Sequence, residues 1–597
     1  MPSSRRHALL ATASVAVALA AADTYVVVLA LTDMMAGVGI GVDALQRATP
    51  IISGFLLGYI AVLPLIGRLS DLLDRRRVLL GCLVVFVVGS AVTALATDLG
   101  ILVGGRVLQG IGGGGLVPAT LALVADLWPP DRRGTPLGVV GAVQELGSVL
   151  GPVLGAVILA WSGWRAIFWA NVVAGLILYA AVRALGPRSL PALPPLTSSV
   201  QKAAPSATSS VQKMPPSPTS SVQKMPEAGP GSGRTRRVVV WVLAVLGLGL
   251  GWLGLARPEA LVSDVTLGVP FVPFVGASPL LTPIGVSALM LLLLLAAVTA
   301  SRWWAVLRRV DLLGALLVAI ALGSLVLTFA SSDPEKEVVG PWGLALLPLG
   351  AVALAVLLWW HGHATDPLIP RRVVGQRGLR SLFVSLLVGA ALVAVVVDVP
   401  VLARLTDAYD ETGAALVLVR FLLAVPVGAL VGGWSLRRLG DGAVAGFGLL
   451  MAAAGLLAMS GWTLDSIQDA VPTTLVLIVV GLGMGLALAP VNNAALADSP
   501  EHAHGVASAL VVVARMVGMV VGLALLTSIG LNRYFEAARR IPDPLATDAL
   551  VAAGVVQVQT VFLGGAVAAL LGAVIAFTLG SRRVAVKVVD EPRFVGL

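Results

Sequence analysis

Charge is what this sequence has least of. Only 12% of its 597 residues are Asp, Glu, Lys or Arg, while 58% are apolar. A soluble globular chain carries about 25% charged residues, so this one lacks the polar surface to meet water on all sides. Cysteine is nearly absent. The single residue, Cys82, lies inside an apolar run, which excludes a disulfide framework and a thiolate metal site. Histidine is scarce too, at five residues. His361/His363 and His502/His504 are i, i+2 pairs in predicted loops with no third ligand, so they read as solvated residues rather than a metal centre. There is no phosphate-cradling G-x-x-x-x-G-K-[ST], which argues against ATP-driven work within the chain. The glycine run at 112–115 follows no strand and reads as a packing surface. The basic balance, net +9 with a pI near 10.3, comes without a basic face interleaved with aromatics, so nucleic acid is not indicated. No cofactor is expected.

What is abundant is apolar length, with a mean hydropathy of +0.96. Apolar runs fall near 8–31, 48–67, 78–97, 100–124, 134–160, 164–185, 238–256, 281–300, 311–330, 342–360, 379–402, 412–434, 443–463, 472–492, 503–530 and 556–580. Each reaches or approaches the ~18–20 residues that cross a bilayer. Lipid offers no partner for backbone N–H and C=O groups, so such runs must be helices. This predicts an all-α membrane protein with about 16 spans, or 14 if the 238–300 pair does not cross. The first run is too long for a signal peptide's apolar core, and Asp23 interrupts it, so it is expected to remain as a spanning helix.

Arginine placement fits this count. Arg5/Arg6, Arg75–Arg77, Arg132/Arg133, Arg234/Arg236/Arg237, Arg308/Arg309, Arg371/Arg372, Arg437/Arg438 and Arg582/Arg583 all fall on one side. The opposite loops carry Asp33, Asp98, Glu259, Asp333 and Asp407. The bias of Lys and Arg toward the cytoplasm then places both termini inside the cell. Residues 186–237 form a Pro/Ser-rich stretch containing an 11-residue repeat that begins at Thr197, Thr208 and Thr219, expected to be a disordered cytoplasmic linker. The expected division is 1–185 as an N-terminal six-helix half, 186–237 linker, 238–300 an inserted helix pair, 301–361 a second helix pair, and 362–597 a C-terminal half. Its last extracytoplasmic loop, roughly 531–555, is expected to prolong the two final helices beyond the membrane.

Four strings carry a family resemblance: GRLSDLLDRRR at 67–77, GGRVLQGIGGGG at 104–115, QELGSVLGPVLGA at 144–156 and WRAIFWAN at 164–171. In this order and spacing they resemble the signatures of the major facilitator superfamily, in its drug:proton antiporter branch with extra linker helices. The third contains G-x-x-x-G-P-x-x-G with every fixed position filled. AADTYVVV at 21–28, PLIGRLSD at 64–71 and VVVARMVGM at 511–519 are similar to one actinobacterial subfamily, the triacylglyceride and drug exporters that work beside a periplasmic lipid-carrying lipoprotein. Three departures stand out, one of them Leu72, where a basic residue is usual. Asp74 occupies a position usually held by Gly, and in GGWSLRRLGD at 432–441 Arg437 sits where an acidic residue is usual.

Ionisable groups inside spans cost ~2.5–3.5 kcal/mol each by insertion scales, so those that persist are paired or functional. Asp23, mid-way along the first span, is the expected proton carrier; a packing bond to Thr24 or a neighbouring helix is the bland alternative. Glu145 in the fifth span and Arg515 in the fifteenth are expected to pair across the halves, since the resemblance sets those helices face to face. Protonating Glu145 would then release the bridge. Gly147, Gly151 and Gly155 recur every four residues and, with Pro152, are expected to make a close, bendable contact between halves. Arg106, with Gln109, matches the superfamily's intramembrane arginine, which the resemblance associates with proton transfer. Asp71, Arg75 and Arg76 are expected to form a cytoplasmic latch. Asp398 and Arg420 are weaker intramembrane candidates. The expectation is therefore a monomeric proton-coupled exporter of lipids or lipophilic drugs, not an enzyme. A membrane-embedded lipid-modifying enzyme or a non-transporting scaffold are the alternatives, and no nucleophile or metal constellation favours the enzyme.

Overall fold

The computed structural model describes residues 3–40, 45–185, 232–258, 261, 269–274, 278–307, 310–330, 343–371, 373–406, 411–500, 503–541 and 547–580. The 11-residue repeats and His502 lie outside the described residues.

Every apolar run is a helix. In chain order the long helices are α1 (Ser3–Gly37), α2 (Leu45–Leu72), α3 (Arg75–Ala94), α4 (Leu99–Leu127), α5 (Gly134–Trp161), α6 (Arg165–Leu185), α7 (Ser232–Ala256), α8 (Pro283–Leu307), α9 (Leu312–Ala330), α10 (Gly343–His363), α11 (Gln376–Arg404), α12 (Glu411–Leu439), α13 (Asp441–Met459), α14 (Ala470–Asp498), α15 (His504–Ala538) and α16 (Thr547–Phe577). Fifteen of them are long and apolar enough to cross a membrane, and α9 adds a shorter apolar stretch, Leu312–Thr328. No strand occurs among the described residues. The fold is thus two six-helix halves, α1–α6 and α11–α16, with four further helices between them.

By contacts the chain separates into two compact units, Gly186–Ser301 and Pro2–Leu185 with Arg302–Leu597. In the smaller unit α7 packs beside α8: Leu291 and Leu292 lie under Gly247, and Arg236 Nη2 donates to Val298 O at 2.9 Å.

In the larger unit the halves repeat one pattern. α1 packs on α5 as α11 packs on α15; α4 packs on α2 and α3 as α14 packs on α12 and α13. The glycine run of α4 supports the close approach. A Cβ on Gly112 would lie 2.3 Å from Phe86 N, and one on Gly114 would lie 2.4 Å from Tyr59 O, so any side chain there would drive α3 or α2 away. Asp74, the departure noted in the first loop, caps α3: its Oδ1 accepts from Arg77 N at 3.0 Å. That satisfies one of the helix's open N–H groups where a glycine would supply none.

The halves meet near the arginine-rich end. α2 abuts α15, where a Cβ on Gly67 would lie 2.7 Å from Gly505 O. α5 abuts α12, where a Cβ on Gly134 would lie 2.6 Å from Gly433 O, and one on Gly138 the same distance from Ala429 O. The α9–α10 hairpin lies along this unit too, with α9 against both α2 and α15.

Candidate functional site

Asp23 is the centre of a polar cluster built by five helices of the first half. Its Oδ2 lies 2.5 Å from Arg106 Nη1. Its Oδ1 accepts from Asn171 Nδ2 at 2.5 Å and from Gln109 Nε2 at 3.1 Å. Gln109 also accepts from Arg106 Nη1 at 2.8 Å and reaches Ser90 Oγ, likewise at 2.8 Å. Arg106 Nε donates to Ile51 O at 3.3 Å, and the faces of Phe55 and Phe168 cover its guanidinium, with ring centroids 4.5 Å and 5.8 Å away. Asp23 and Arg106 are each only 1% exposed. Helix geometry explains the convergence. Arg106 and Gln109 are i, i+3 on α4 and so share a face, while Ser90 and Asn171 are polar residues within otherwise apolar stretches of α3 and α6.

The Asp23 charge has no partner in its own helix, but it is compensated from α4 and α6. Thr24, the bland partner, instead donates to Ala20 O at 3.1 Å within α1. Arg106 thus binds both a backbone carbonyl, that of Ile51, and the Asp23 carboxylate. Asn171 and Ser90 were given no role from sequence. The signal available was their polarity inside otherwise apolar spans.

The second element joins the halves. Arg515 Nη1 lies 3.4 Å from Glu145 Oε1, each side chain 13% exposed. Arg515 lines a cavity between the halves whose walls are mostly apolar, among them Val117, Leu121, Val140, Val388 and Leu488. Gln144 and Arg515 supply polar groups. Gly389 of α11 sits against the Arg515 carbonyl, which fixes α15 closely at this level.

The glycine stripe of α5 does not make the expected contact between halves. Cβ atoms on Gly147 and Gly151 would lie 2.4 Å from Ala18 O and 2.3 Å from Ala22 O; one on Gly155 would lie 2.3 Å from a Val26 methyl. The stripe, with Pro152 beside it in the helix, therefore packs on α1 of its own half. The reason is angular: Gly147 is two positions on from Glu145, about 200° around a helix, so one face cannot serve both. Gly134 and Gly138, nearer the arginine-rich end, make the cross-half approach instead.

At that end Asp71 reaches across the halves. Its Oδ1 and Oδ2 accept from Gly505 N at 2.7 Å and Val506 N at 3.0 Å, the first turn of α15. A carboxylate here satisfies two open N–H groups and sits at the positive end of the helix dipole. Arg75 Nη2 is 3.9 Å from Asp71, while Arg75 Nε lies 3.0 Å from Asp126 Oδ2, and Arg75 also donates to Ala122 O. Arg76 donates to Val182 O at 3.1 Å and Arg183 O at 2.5 Å, at the end of α6. The expected latch is therefore a carboxylate on a helix terminus, with Arg75 and Arg76 bracing the loop behind it. In the second half Gly433 corresponds to Gly67, which places Arg437 at the Asp71 position. Arg437 is exposed, so the latch is one-sided. Asp441, paired with Arg377 and accepting from Asn493 at 2.8 Å, ties the same end of the second half together; this cluster was not foreseen.

Asp398 is buried in α11, and its Oδ2 has no hydrogen-bond partner among the described residues. Arg420 donates to Thr474 Oγ1 at 3.0 Å, across to α14. Among the described residues no group of three or more His, Cys, Asp or Glu could hold a metal ion.

Residues 13–360 match the family model of the Major Facilitator Superfamily. A protein of Mycobacteroides abscessus named triacylglyceride transporter is 35% identical over 90% of this chain and 84% of its own length. A Mycobacterium leprae protein named probable triacylglyceride transporter is 32% identical over 97% of both chains. Among solved structures, a human organic anion transporter aligns over 96% of this chain and all of its own, at 15% identity and a TM-score of 0.53. A proton:xylose symporter aligns over 94% of this chain and 95% of its own, at 13% identity and a TM-score of 0.51. These likenesses agree with the helix order and the half-by-half pairing: the chain belongs to the major facilitator superfamily.

Proposed function

We propose that the protein is a proton-coupled exporter of hydrophobic molecules, triacylglycerides or lipophilic drugs, working by alternating access in the cytoplasmic membrane with both termini inside the cell. The observation that carries this reading is the Asp23–Arg106–Gln109–Asn171 cluster. A carboxylate sealed in hydrocarbon by three donors on two other helices is a site where gaining or losing one proton repacks a whole half. Glu145 and Arg515 supply the second step. Protonation of Glu145 removes its attraction for Arg515 and so favours a state in which the halves separate there. The names of the relatives and the apolar cavity walls support a lipid-like cargo. A few polar groups in a mostly apolar chamber suit a substrate that offers little to hydrogen-bond.

The halves are closed against each other at the arginine-rich end. Taken as the cytoplasmic side, this is the outward-facing state, held by Asp71 on α15 and by the α5–α12 glycine contact. Residues 238–300 are read as an inserted pair. The long α15 and the start of α16 are read as the platform for a periplasmic lipid-carrying partner. Among the described residues no metal-binding group of three or more His, Cys, Asp or Glu supports the enzymatic alternative. Reconstituted vesicles with an imposed pH gradient test the proposal: labelled triacylglycerol should move only with the gradient, and proton flux should rise with substrate. Movement that ignores the gradient would remove proton coupling. Absence of any lipid or drug movement would remove the exporter reading.

A further inference from the structure

From Val265 to Ser301 the chain runs 37 residues without Asp, Glu, Lys, Arg or His. That is nearly twice the ~20 residues a helix needs to cross a bilayer. The apolar crossing stretch of α8, Pro283–Ala300, uses 18 of them, so a long uncharged segment is left between α7 and α8. Pro270, Pro273, Pro279 and Pro283 stop that segment from continuing as helix. Its described parts fold instead into 3-10 turns at Val269–Phe271 and Pro279–Leu281.

These turns close on one another. Arg257 Nη2, just past the end of α7, donates to Phe271 O at 2.9 Å, and Phe274 N donates to Leu281 O, also at 2.9 Å. Thr282, fully buried, donates to Pro279 O at 2.7 Å and accepts from Gly285 N at 3.1 Å. Gly285 is required, because a Cβ there would lie 2.4 Å from Pro279 O. Phe271 and Pro279 fill the inside. The outside is apolar: Val269, Val272 and Phe274 are 62%, 63% and 69% exposed, with Leu280 at 51% and Leu281 at 46%. Five such side chains in a water-facing turn would form an adhesive patch. They run on from exposed apolar side chains of α7 and α8, such as Trp252 and Leu289, surfaces that lipid covers.

We infer that this cap is a membrane-inserted element. Its five outward side chains lie among the phospholipid acyl chains of the leaflet at the end of α7 and α8 remote from Arg234, Arg236, Arg237 and Arg302. Among its described residues, internal bonds made by Val272, Phe274, Leu281 and Thr282 remove backbone N–H groups that hydrocarbon would penalise, and Arg257 sits where an anionic headgroup would meet it. The cap thereby fixes the depth of the α7–α8 pair, as an interfacial amphipathic helix fixes a peripheral enzyme. This inference stands independently of the transported substrate.

Cys82, the only native cysteine, is buried, so Phe274→Cys and Val272→Cys each provide one reactive thiol on the full-length protein. Each would carry an environment-sensitive fluorophore in phosphatidylcholine–phosphatidylglycerol vesicles. Acyl-chain doxyl lipids should quench both labels several-fold more strongly than aqueous iodide, with blue-shifted emission. Adding Phe274→Asp to the Val272→Cys protein should raise iodide access several-fold. Dominant iodide quenching of the first two labels would overturn the inference in favour of a water-exposed turn. Protection from both quenchers would overturn it in favour of docking on protein.

Discussion

Arg106 Nη1 and Asp23 Oδ2 stand 2.5 Å apart with neither side chain open to solvent, and this pair separates stability from function in a way a substitution series can read. Removing one partner of a buried pair leaves a lone charge and costs about 3–5 kcal/mol. Arg106→Ala should therefore lower the melting temperature of the detergent-purified protein steeply. Asp23→Asn should do so less, because the amide keeps an acceptor for Arg106. Asp23→Asn combined with Arg106→Gln should recover most of the stability, since no charge is left unpaired. Substrate-dependent proton flux should stay absent in that double variant. Full flux there would show that Asp23 serves packing alone.

Glu145 and Arg515 should behave in the opposite sense. At 3.4 Å the contact is long, each side chain is 13% exposed, and Arg515 opens onto the cavity between the halves, so a glutamine at 145 keeps an acceptor within reach and leaves the guanidinium no more enclosed than before. Glu145→Gln should leave the melting temperature nearly unchanged yet reduce substrate-driven proton flux at least tenfold in reconstituted vesicles. A large fall in melting temperature with normal flux would make the pair a permanent brace.

These two pairs also show how far sequence reading reaches. The Glu145–Arg515 contact was legible because both residues interrupt apolar runs and the superfamily resemblance fixes which helices face each other. The partners of Asp23 were not, since Arg106, Gln109 and Asn171 lie on two other helices and no local pattern states their rotation. The α5 glycines show a different limit. A four-residue repeat identifies a face that another helix approaches closely, but not which helix, and here it was α1 rather than a helix of the other half. The long helices themselves were legible in full, because hydrocarbon leaves the backbone no other structure.

Asp71 offers a prediction about gating. Its two backbone acceptor bonds to Gly505 and Val506 amount to an N-cap supplied from the opposite half. Loss of such a cap costs about 0.5–2 kcal/mol, roughly a 2- to 30-fold shift between two states. Asp71→Ala should raise maleimide labelling of a cysteine placed at Ala509, which lies against Gly67 in this closed contact, by that factor. Asp71→Asn, which keeps an acceptor, should fall between. Unchanged labelling in Asp71→Ala would mean that the carboxylate does not hold the halves together.

The glycines give the last prediction, because two sets in one helix face different neighbours. A Cβ at Gly147 would lie 2.4 Å from Ala18 O, inside the first half, while one at Gly138 would lie 2.6 Å from Ala429 O, in the second. Both insertions meet backbone, which cannot step aside as a flexible side chain can, and overpacking of this kind costs about 1–3 kcal/mol. The cost should appear in different observables. Gly147→Ala strains the α1–α5 contact within one half, so it should lower the melting temperature while Leu436→Cys, placed beside the α5–α12 contact, stays protected. Gly138→Ala strains only the closed arrangement, and the protein can relieve it by parting the halves. Its melting temperature should therefore stay near that of the parent, while labelling at Leu436→Cys rises by about 5- to 150-fold, the population change that 1–3 kcal/mol supports. If Gly138→Ala instead lost stability and kept Leu436→Cys protected, the α5–α12 approach would be a fixed joint and not a contact that opens.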